Sequence, residues 1–434
     1  MNITLEKTVD IYDAIVAGGG PAGCAAAVAA ARQGVKVLLV ESSACLGGMS
    51  TIGMVPSFAP FTDKEKLISR SIAEEIITEY KKRIGKNEDE WDWLPISYED
   101  MKIVYDEIVT ESGADVIFNS NVCYVQTNGD KIEYIVVSNK AGLTAYKAKV
   151  FIDCTGDADI AAFAKVPLVY GDEKGTVQPS SLCFAITGID VDNMDYWRVH
   201  AGPNSIWKEK GDNPKYPLID IDHFVINRID SHTLGINAGH LDVRNIADVK
   251  EVSKNIIKGR EAARQYLAAL KEYMPETFKD AYLISTAPAL GVRESRRIIG
   301  EYTLTVEDYL ARRSFDDEIA RNCYFIDCHS IGDDRDSTGH SVSVPLTEYG
   351  VGESHGIPWR CLVPQEIDNL LVAGRTISTD RAVQASVRVM PVCMTMGEAA
   401  GIGAATAVKS GTGIHSVDVD NVRKILKKNG AFIM

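Results

Sequence analysis

Apolar positions in the first forty residues fall in compact blocks. Tyr12 to Ala17 is a short apolar run, Pro21 to Gln33 is alanine-rich, and Val35 to Val40 is a second apolar run ending at the acid Glu41. Short apolar runs bounded by turn signals read as strands buried on both faces, and the longer alanine-rich stretch between them reads as a helix. The opening is therefore a β-α-β unit. Helical periodicity follows over Leu67 to Arg83 and Tyr98 to Glu111, with the charged, tryptophan-containing stretch Gly85 to Pro95 as a loop between them. Asp115 to Phe118 predicts a third short strand. From Val122 to Val150 the pattern alternates, with turn signals at Asn128-Gly129-Asp130 and Lys140-Ala141-Gly142, which predicts an antiparallel meander; Val150 to Cys154 then returns to the sheet.

The texture changes from about Pro167 to about His340. Strand-like pieces at Ser181 to Thr187, Phe224 to Ile229 and Leu234 to Asn237 accompany a long charged amphipathic helix over Val249 to Glu272. Asn369 to Ala373 is again a buried strand, and Pro391 to Lys409 an apolar helix. The expectation is an α/β fold with a discontinuous first domain (residues 1–166 and 341–434) carrying a parallel sheet and the meander, and an inserted α+β domain over 167–340. There is no internal repeat.

Composition mainly excludes. The 46 Lys+Arg against 60 Asp+Glu give a net charge of −14 with no basic block, which argues against nucleic acid as a partner. The nine cysteines are odd in number, scattered and never spaced Cys-x-x-Cys, so neither a disulfide framework nor a metal site is expected. The first ten residues lack the basic start and apolar run of an export signal, so the expected compartment is the cytoplasm. The uncharged interval between Asp13 and Arg32 approaches the roughly 18 residues of a membrane helix. Gly18-Gly19-Gly20-Pro21 would break such a helix, and no membrane association is expected.

That glycine cluster carries the chemistry. Gly18, Gly20 and Gly23 occupy the fixed positions of G-x-G-x-x-G, after a predicted strand and at the start of a predicted helix, with Glu41 closing the next strand roughly 20 residues on. Gly18 allows the tight turn, Gly20 lets backbone approach a diphosphate, Gly23 lets helix and strand pack, and the helix start, where Pro21 precedes Ala22, offers unpaired N–H groups beyond the proline. Glu41 would accept from ribose hydroxyls. NAD and FAD share this fingerprint. A second glycine pair in Leu46-Gly47-Gly48-Met49-Ser50-Thr51 favours FAD, whose chain continues past the diphosphate.

Further motifs follow in order: Asp153-Cys154-Thr155-Gly156-Asp157-Ala158-Asp159, Arg293 to Tyr302, Ala373-Gly374-Arg375-Thr376-Ile377-Ser378, and Arg388-Val389-Met390-Pro391 with the helix after it. With them the chain resembles the two-dinucleotide-binding-domain flavoproteins of glutathione-reductase-like fold, and within these the FAD-dependent oxidoreductase family, over almost its whole length. The resemblance implies a Rossmann-like FAD-binding domain and an inserted substrate or cap domain; no residue in the sequence is marked for covalent flavin attachment, so non-covalent FAD is expected. It adds Val122 as the backbone that meets adenine, and places Thr155, Gly156 and Asp157 beside the cofactor. Gly374 and Arg375 end a buried strand where a cation meets a diphosphate or flavin edge. Met390 and Pro391 open a helix whose positive end would face flavin N1 and the C2 carbonyl. The expected cofactor contacts thus also include Gly47, Gly48, Met49 and Ser50.

The substrate side is less defined. Arg293 to Arg297 holds three cations and an acid in five residues; if extended, Arg293, Ser295 and Arg297 share one face, and Glu294 and Arg296 the other. One face would bind an anionic or polar substrate or the diphosphate; a structural ion-pair cluster is the alternative. His329 is the candidate proton donor or acceptor, with His340 and Arg360 as further candidates. Cys45 and Cys328 read as ordinary thiols. No second G-x-G-x-x-G follows a strand, so the electron donor or acceptor is undefined. The expected activity is hydride transfer between flavin N5 and a polar small-molecule substrate. A non-redox isomerisation or hydration, and a flavin subunit of an electron-transfer assembly, stay open as alternatives, as do an electron-carrier protein and a homo-oligomer as partners.

Overall fold

The computed structural model describes residues 7–86, 89–344 and 346–434, with the backbone alone over 7–10. The chain opens with β1 (Lys7–Ala17), α1 (Pro21–Arg32) and β2 (Val37–Val40), continues through α2 (Ile72–Ile84), α3 (Tyr98–Glu111) and β3 (Asp115–Ile117), and then forms β4 (Asn121–Asn128), β5 (Lys131–Asn139) and β6 (Gly142–Asp153). The sheet order is β3-β2-β1-β6-β5-β4, with Leu370–Val372 added beside β6. β3, β2, β1, β6 and Leu370–Val372 run parallel, so that Ile15 sits between Leu38 and Phe151 in register, all three buried. Such runs are apolar on both faces because both are covered.

The meander and the return to the sheet are one strand. Residues 142–146 of β6 pair antiparallel with β5, while Phe151–Asp153 pair parallel with Leu370–Val372. Nothing between Leu143 and Asp153 breaks an extended chain, since neither glycine nor proline occurs there.

α1 is buried over nine consecutive residues, Ala22 to Ala30, because the helix Met390–Ser410 lies against it. A Cβ at Gly397 or Gly401 would overlap the carbonyls of Ala22 or Ala26. These glycines thus bring two helix backbones together, and Gly403 makes room for the Trp359 indole. α2 begins five residues later than the periodicity from Leu67 predicts. Its start is set by a distant acid: Glu398 accepts from the Ser71 hydroxyl at 2.6 Å and the Ile72 N–H at 3.4 Å.

A second, antiparallel sheet has the order Tyr282–Thr286, Phe184–Thr187, Thr233–Asn237, Val225–Asp230, and is backed by the helix Val249–Tyr273. Its core of Phe184, Ile186, Phe224, Tyr266, Leu270 and Phe278 is separate from that of the first sheet. Beyond it, Leu290, Leu304, Tyr309 and Ile319 join the cluster that holds α1. No helix among the described residues is long and apolar enough to cross a membrane.

Candidate functional site

A cavity of about 450 Å³ opens at the C-terminal ends of β1, β2 and β6, where ligands bind in open α/β sheets. Gly18, Gly20, Pro21, Ala22, Glu41, Gly48, Met49, Val122, Thr155, Gly156, Asp157, Gly374, Arg375 and Met390 line it. Gly23, Gly47, Ser50 and Pro391 stand behind the lining. A Cβ at Gly23 would overlap the Gly18 carbonyl, so this glycine serves helix-on-strand packing. Gly47 (φ 96°) donates to Gly19 O at 2.8 Å, and the Ser50 hydroxyl donates to Gly47 O at 2.8 Å, bracing the loop. Pro391 lies buried in the first turn of its helix.

The three crossover glycines divide their work. Gly18 has φ +90°, and a side chain there would run into the Cys154 backbone. Gly20 has φ −71° and ψ −177°, which any residue adopts, and a Cβ there would meet nothing within 4 Å. Neither strain nor packing in the chain requires glycine at 20; the space it leaves opens into the cavity.

Two helices present their first turns to this space. Pro21 and Ala22 begin α1, and Met390 and Cys393 belong to the first turn of Met390–Ser410; neither helix has a side-chain cap. Uncapped N–H groups and helix dipoles favour an anion or developing negative charge. Glu41 is held by the Gly19 and Ser43 N–H groups, each at 2.6 Å, with its carboxylate at the cavity wall. Arg375 donates from Nη2 to Asp157 Oδ1 at 3.0 Å, while its Nε is buried without a partner among the described residues. Burial, with Asp153 and Asp157 nearby, pushes Asp159 on the same wall up to about 6. An open place at Gly20, two uncapped helix starts, an orphaned guanidinium N–H and a carboxylate at the end of β2 together fit a dinucleotide diphosphate and its ribose.

A second polar cluster adjoins the wall at Arg388. Its Nη2 donates to the carbonyl and to Oδ2 of Asp327, both at 3.0 Å. Asp327 Oδ1 lies 3.1 Å from His329 Nε2 and from His340 Nε2, and Oδ2 accepts from the Tyr324 hydroxyl at 3.4 Å. Behind His329, His240 Nε2 lies 3.0 Å from its Nδ1. Burial acts to raise the Asp327 carboxyl, but His329, His340 and Arg388 outweigh it and hold the group well below the usual carboxylate range. Burial and the Arg293 guanidinium push His329 down to about 3, so the imidazole is neutral near pH 7. The pattern assigns His329 Nε2–H to Asp327 and leaves Nδ1 to accept from His240. Asp327, His329 and His340 bring three potential ligand atoms within 4.8 Å. The carboxylate is already saturated by donors, and a metal ion there would face two guanidiniums.

Of the substrate-side candidates, His329 belongs to this cluster, and Arg293 follows Val292 of the cavity lining, its carbonyl accepting from Gln384 Nε2 at 2.9 Å; Arg388 belongs to both the cluster and the lining. Arg297 is placed elsewhere: it forms a buried ion pair with Glu294 and donates to Thr379 O at 3.2 Å and Gly171 O at 2.9 Å. The expected segregation of faces does not occur. Only Arg296–Ile298 is a strand, so Glu294 reaches both Arg297 and Arg381, while Ser295 and Arg296 both turn to Asp157. Arg360 pairs with Asp317 at 2.9 Å. All nine cysteines are free, and burial pushes Cys328 up to about 12.

Sequence reasoning missed Arg388, Asp327 and His240 as site residues. Arg388 had a signal, a cation directly before a helix start with proline; Asp327 and His329 had i, i+2 spacing. His240 had none, since its contact with His329 is made by the fold. The helix start Val252 and Ile256, which closes one side of the cavity with Leu290 and Val292, was equally silent.

The fold and cavity define a dinucleotide-binding protein of flavoprotein type. The family model of FAD dependent oxidoreductases matches residues 13–426, and the chain belongs to that family, whose cofactor is FAD. It is similar to mitochondrial dihydrolipoyl dehydrogenase of Schizosaccharomyces pombe, 31% identical over 174 residues, covering 38% of this chain and 31% of that protein. The match thus spans about a third of the relative. Among solved structures, a geranylgeranyl bacteriochlorophyll reductase-like protein from Thermoplasma acidophilum matches with TM-score 0.49 and 14% identity, over 97% of this chain and 84% of the other. p-Nitrophenol 4-monooxygenase PnpA from Pseudomonas putida matches with TM-score 0.44 and 12% identity, over 97% and 84%.

Proposed function

We propose that this FAD-dependent enzyme transfers a hydride between flavin N5 and a polar small-molecule substrate. The observation that carries the reading is the buried Asp327–His329–His240 chain joined through Arg388 to the wall of the dinucleotide cavity. Bound FAD supplies the two-electron chemistry. The crossover glycines and α1 hold the diphosphate, with Arg375 as a further donor, and Glu41 takes the ribose. The start of the helix Met390–Ser410 faces the part of the cavity next to Arg388, where its dipole favours negative charge. Arg293 and Arg388 orient the substrate. His329, kept neutral by burial and aligned by Asp327, takes up or returns the substrate proton through His240, whose Nδ1 has no partner among the described residues.

The test is anaerobic mixing of the FAD-loaded protein with a chemically diverse panel of polar metabolites, read as flavin bleaching or recovery. Bleaching by at least one compound is expected. In His329→Gln, FAD content should stay near the wild-type level while bleaching slows roughly 10²-fold or more, the lower range of general acid–base contributions, and its pH dependence changes. A flavin that no compound reduces or reoxidises, or an unaltered rate and pH profile in His329→Gln, would overturn the assignment.

A further inference from the structure

We propose that the end of the cavity beside Arg388 selects substrates bearing a single carboxylate at the recognition end, held between the guanidiniums of Arg293 and Arg388. This rests on the function proposed above and names the substrate class for the same site.

The argument starts from how the chain treats its other buried arginines. Arg297 is paired with Glu294, Arg321 with Glu318 and Arg381 with Glu294, as burial of a charge requires. Arg293 departs from this. It lies deep in the protein mass without being sealed from solvent space, and the hydrogen bond it makes goes from Nη1 to a neutral group, Pro179 O, at 2.8 Å. No ion pair holds it among the described residues. Arg388 is half satisfied: Nη2 engages Asp327, while Nε is buried without a partner among the described residues.

Charge counting points the same way. Arg293 and Arg388 contribute two positive charges, and Asp327, which is bonded to Arg388, contributes one negative charge. His329 and His240 are neutral, since burial holds both imidazoles far below their ordinary range. Of the two guanidiniums, only Arg388 has a carboxylate partner, so one positive charge of the pair stands without an ion pair among the described residues. A carboxylate neutralises it and matches the planar fork of a guanidinium; a phosphate dianion would leave a buried excess of negative charge. Arg375, whose Nη2 lies against Gly156 and donates to Asp157, belongs to the diphosphate end and does not enter the count.

The experiment uses the FAD-loaded protein and reads perturbation of the flavin absorbance. Acetate, succinate and benzoate are titrated against acetamide, succinamide and benzamide at matched ionic strength, with inorganic phosphate as a further arm. At least one carboxylate should saturate at a concentration tenfold or more below its amide, and phosphate should bind more weakly than that carboxylate. Arg293→Gln should erase the preference while retaining FAD, and Arg293→Lys should keep part of it. The comparison of acid with amide on the wild type needs no variant and stands if Arg293→Gln fails to fold. Equal response to acids and amides, tighter binding of phosphate, or undiminished preference in an FAD-replete Arg293→Gln would overturn the inference. A flavin bleached by neutral substrates but indifferent to carboxylates refutes this inference alone, whereas a flavin inert to every compound refutes the function beneath it.

Discussion

Gly20→Ala separates what the chain needs from what its ligand needs. In the folded chain residue 20 has φ −71° and ψ −177°, and the added methyl meets nothing within 4 Å. Reduced freedom of the unfolded chain favours alanine by about 0.4–1 kcal/mol. Alanine is a poorer N-cap than glycine by a similar amount, and the two effects nearly cancel. Stability without FAD should therefore change by less than about 1 kcal/mol. With FAD the methyl occupies the path of the diphosphate. Losing two charge-assisted hydrogen bonds, at about 1.5–3 kcal/mol each, weakens binding by about 3–6 kcal/mol, or roughly 10²- to 10⁴-fold in Kd. Wild-type protein at 100 times Kd gains about 2.7 kcal/mol from FAD, and Gly20→Ala should gain almost nothing at the same concentration. Gly18→Ala is the contrast: at φ +90°, with its Cβ against Cys154, it should lose more than about 1–2 kcal/mol even without cofactor. Thermal melts with and without FAD, together with FAD titration by fluorescence, measure all of this. Wild-type FAD affinity in Gly20→Ala, or FAD-free melting as low as that of Gly18→Ala, would refute the reasoning.

Arg321→Met should destabilise the fold by about 3–5 kcal/mol in denaturant titration, because Glu318, fully buried beside it, would lose its partner. FAD affinity of the folded fraction should not change, and an unaltered denaturation midpoint would contradict the pairing. Acid should also unfold the protein early. Burial pushes His223 down to about 4 and His329 and His355 down to about 3, below the ordinary 6.5, so each is neutral when folded and charged when unfolded across the window from about 6.5 to 4. The unfolded state binds more protons there, so stability falls as pH drops, by up to about 1.4 kcal/mol per pH unit for each group. Urea midpoints at pH 7 and pH 5 check this, and a midpoint that does not fall means that these histidines are not held neutral.

Much of this was legible because local rules decide it. The β-α-β opening with Glu41, the meander turns and the bounds of α3 follow from glycine placement and periodicity within short windows. What was not legible depends on partners far along the chain. α2 starts where Glu398 captures Ser71 and Ile72, which no window around Leu67 contains. Arg297 read as a substrate anchor because Glu294 was assigned to the opposite face, yet the segment turns before its strand begins, and the two meet. Gly397 and Gly401 of the helix Met390–Ser410 serve its contact with α1, a partner more than 350 residues away that no local window contains. The strand Tyr282–Thr286 escaped notice because, as a sheet edge, it leaves Tyr282 and Ile284 exposed and shows no clean alternation.

The most direct measurement is the nucleotide content of the purified chain. The account predicts FAD at close to one molecule per chain, released intact on denaturation. A colourless chain that binds no flavin, or one that carries nicotinamide adenine dinucleotide in the cavity instead, would contradict it.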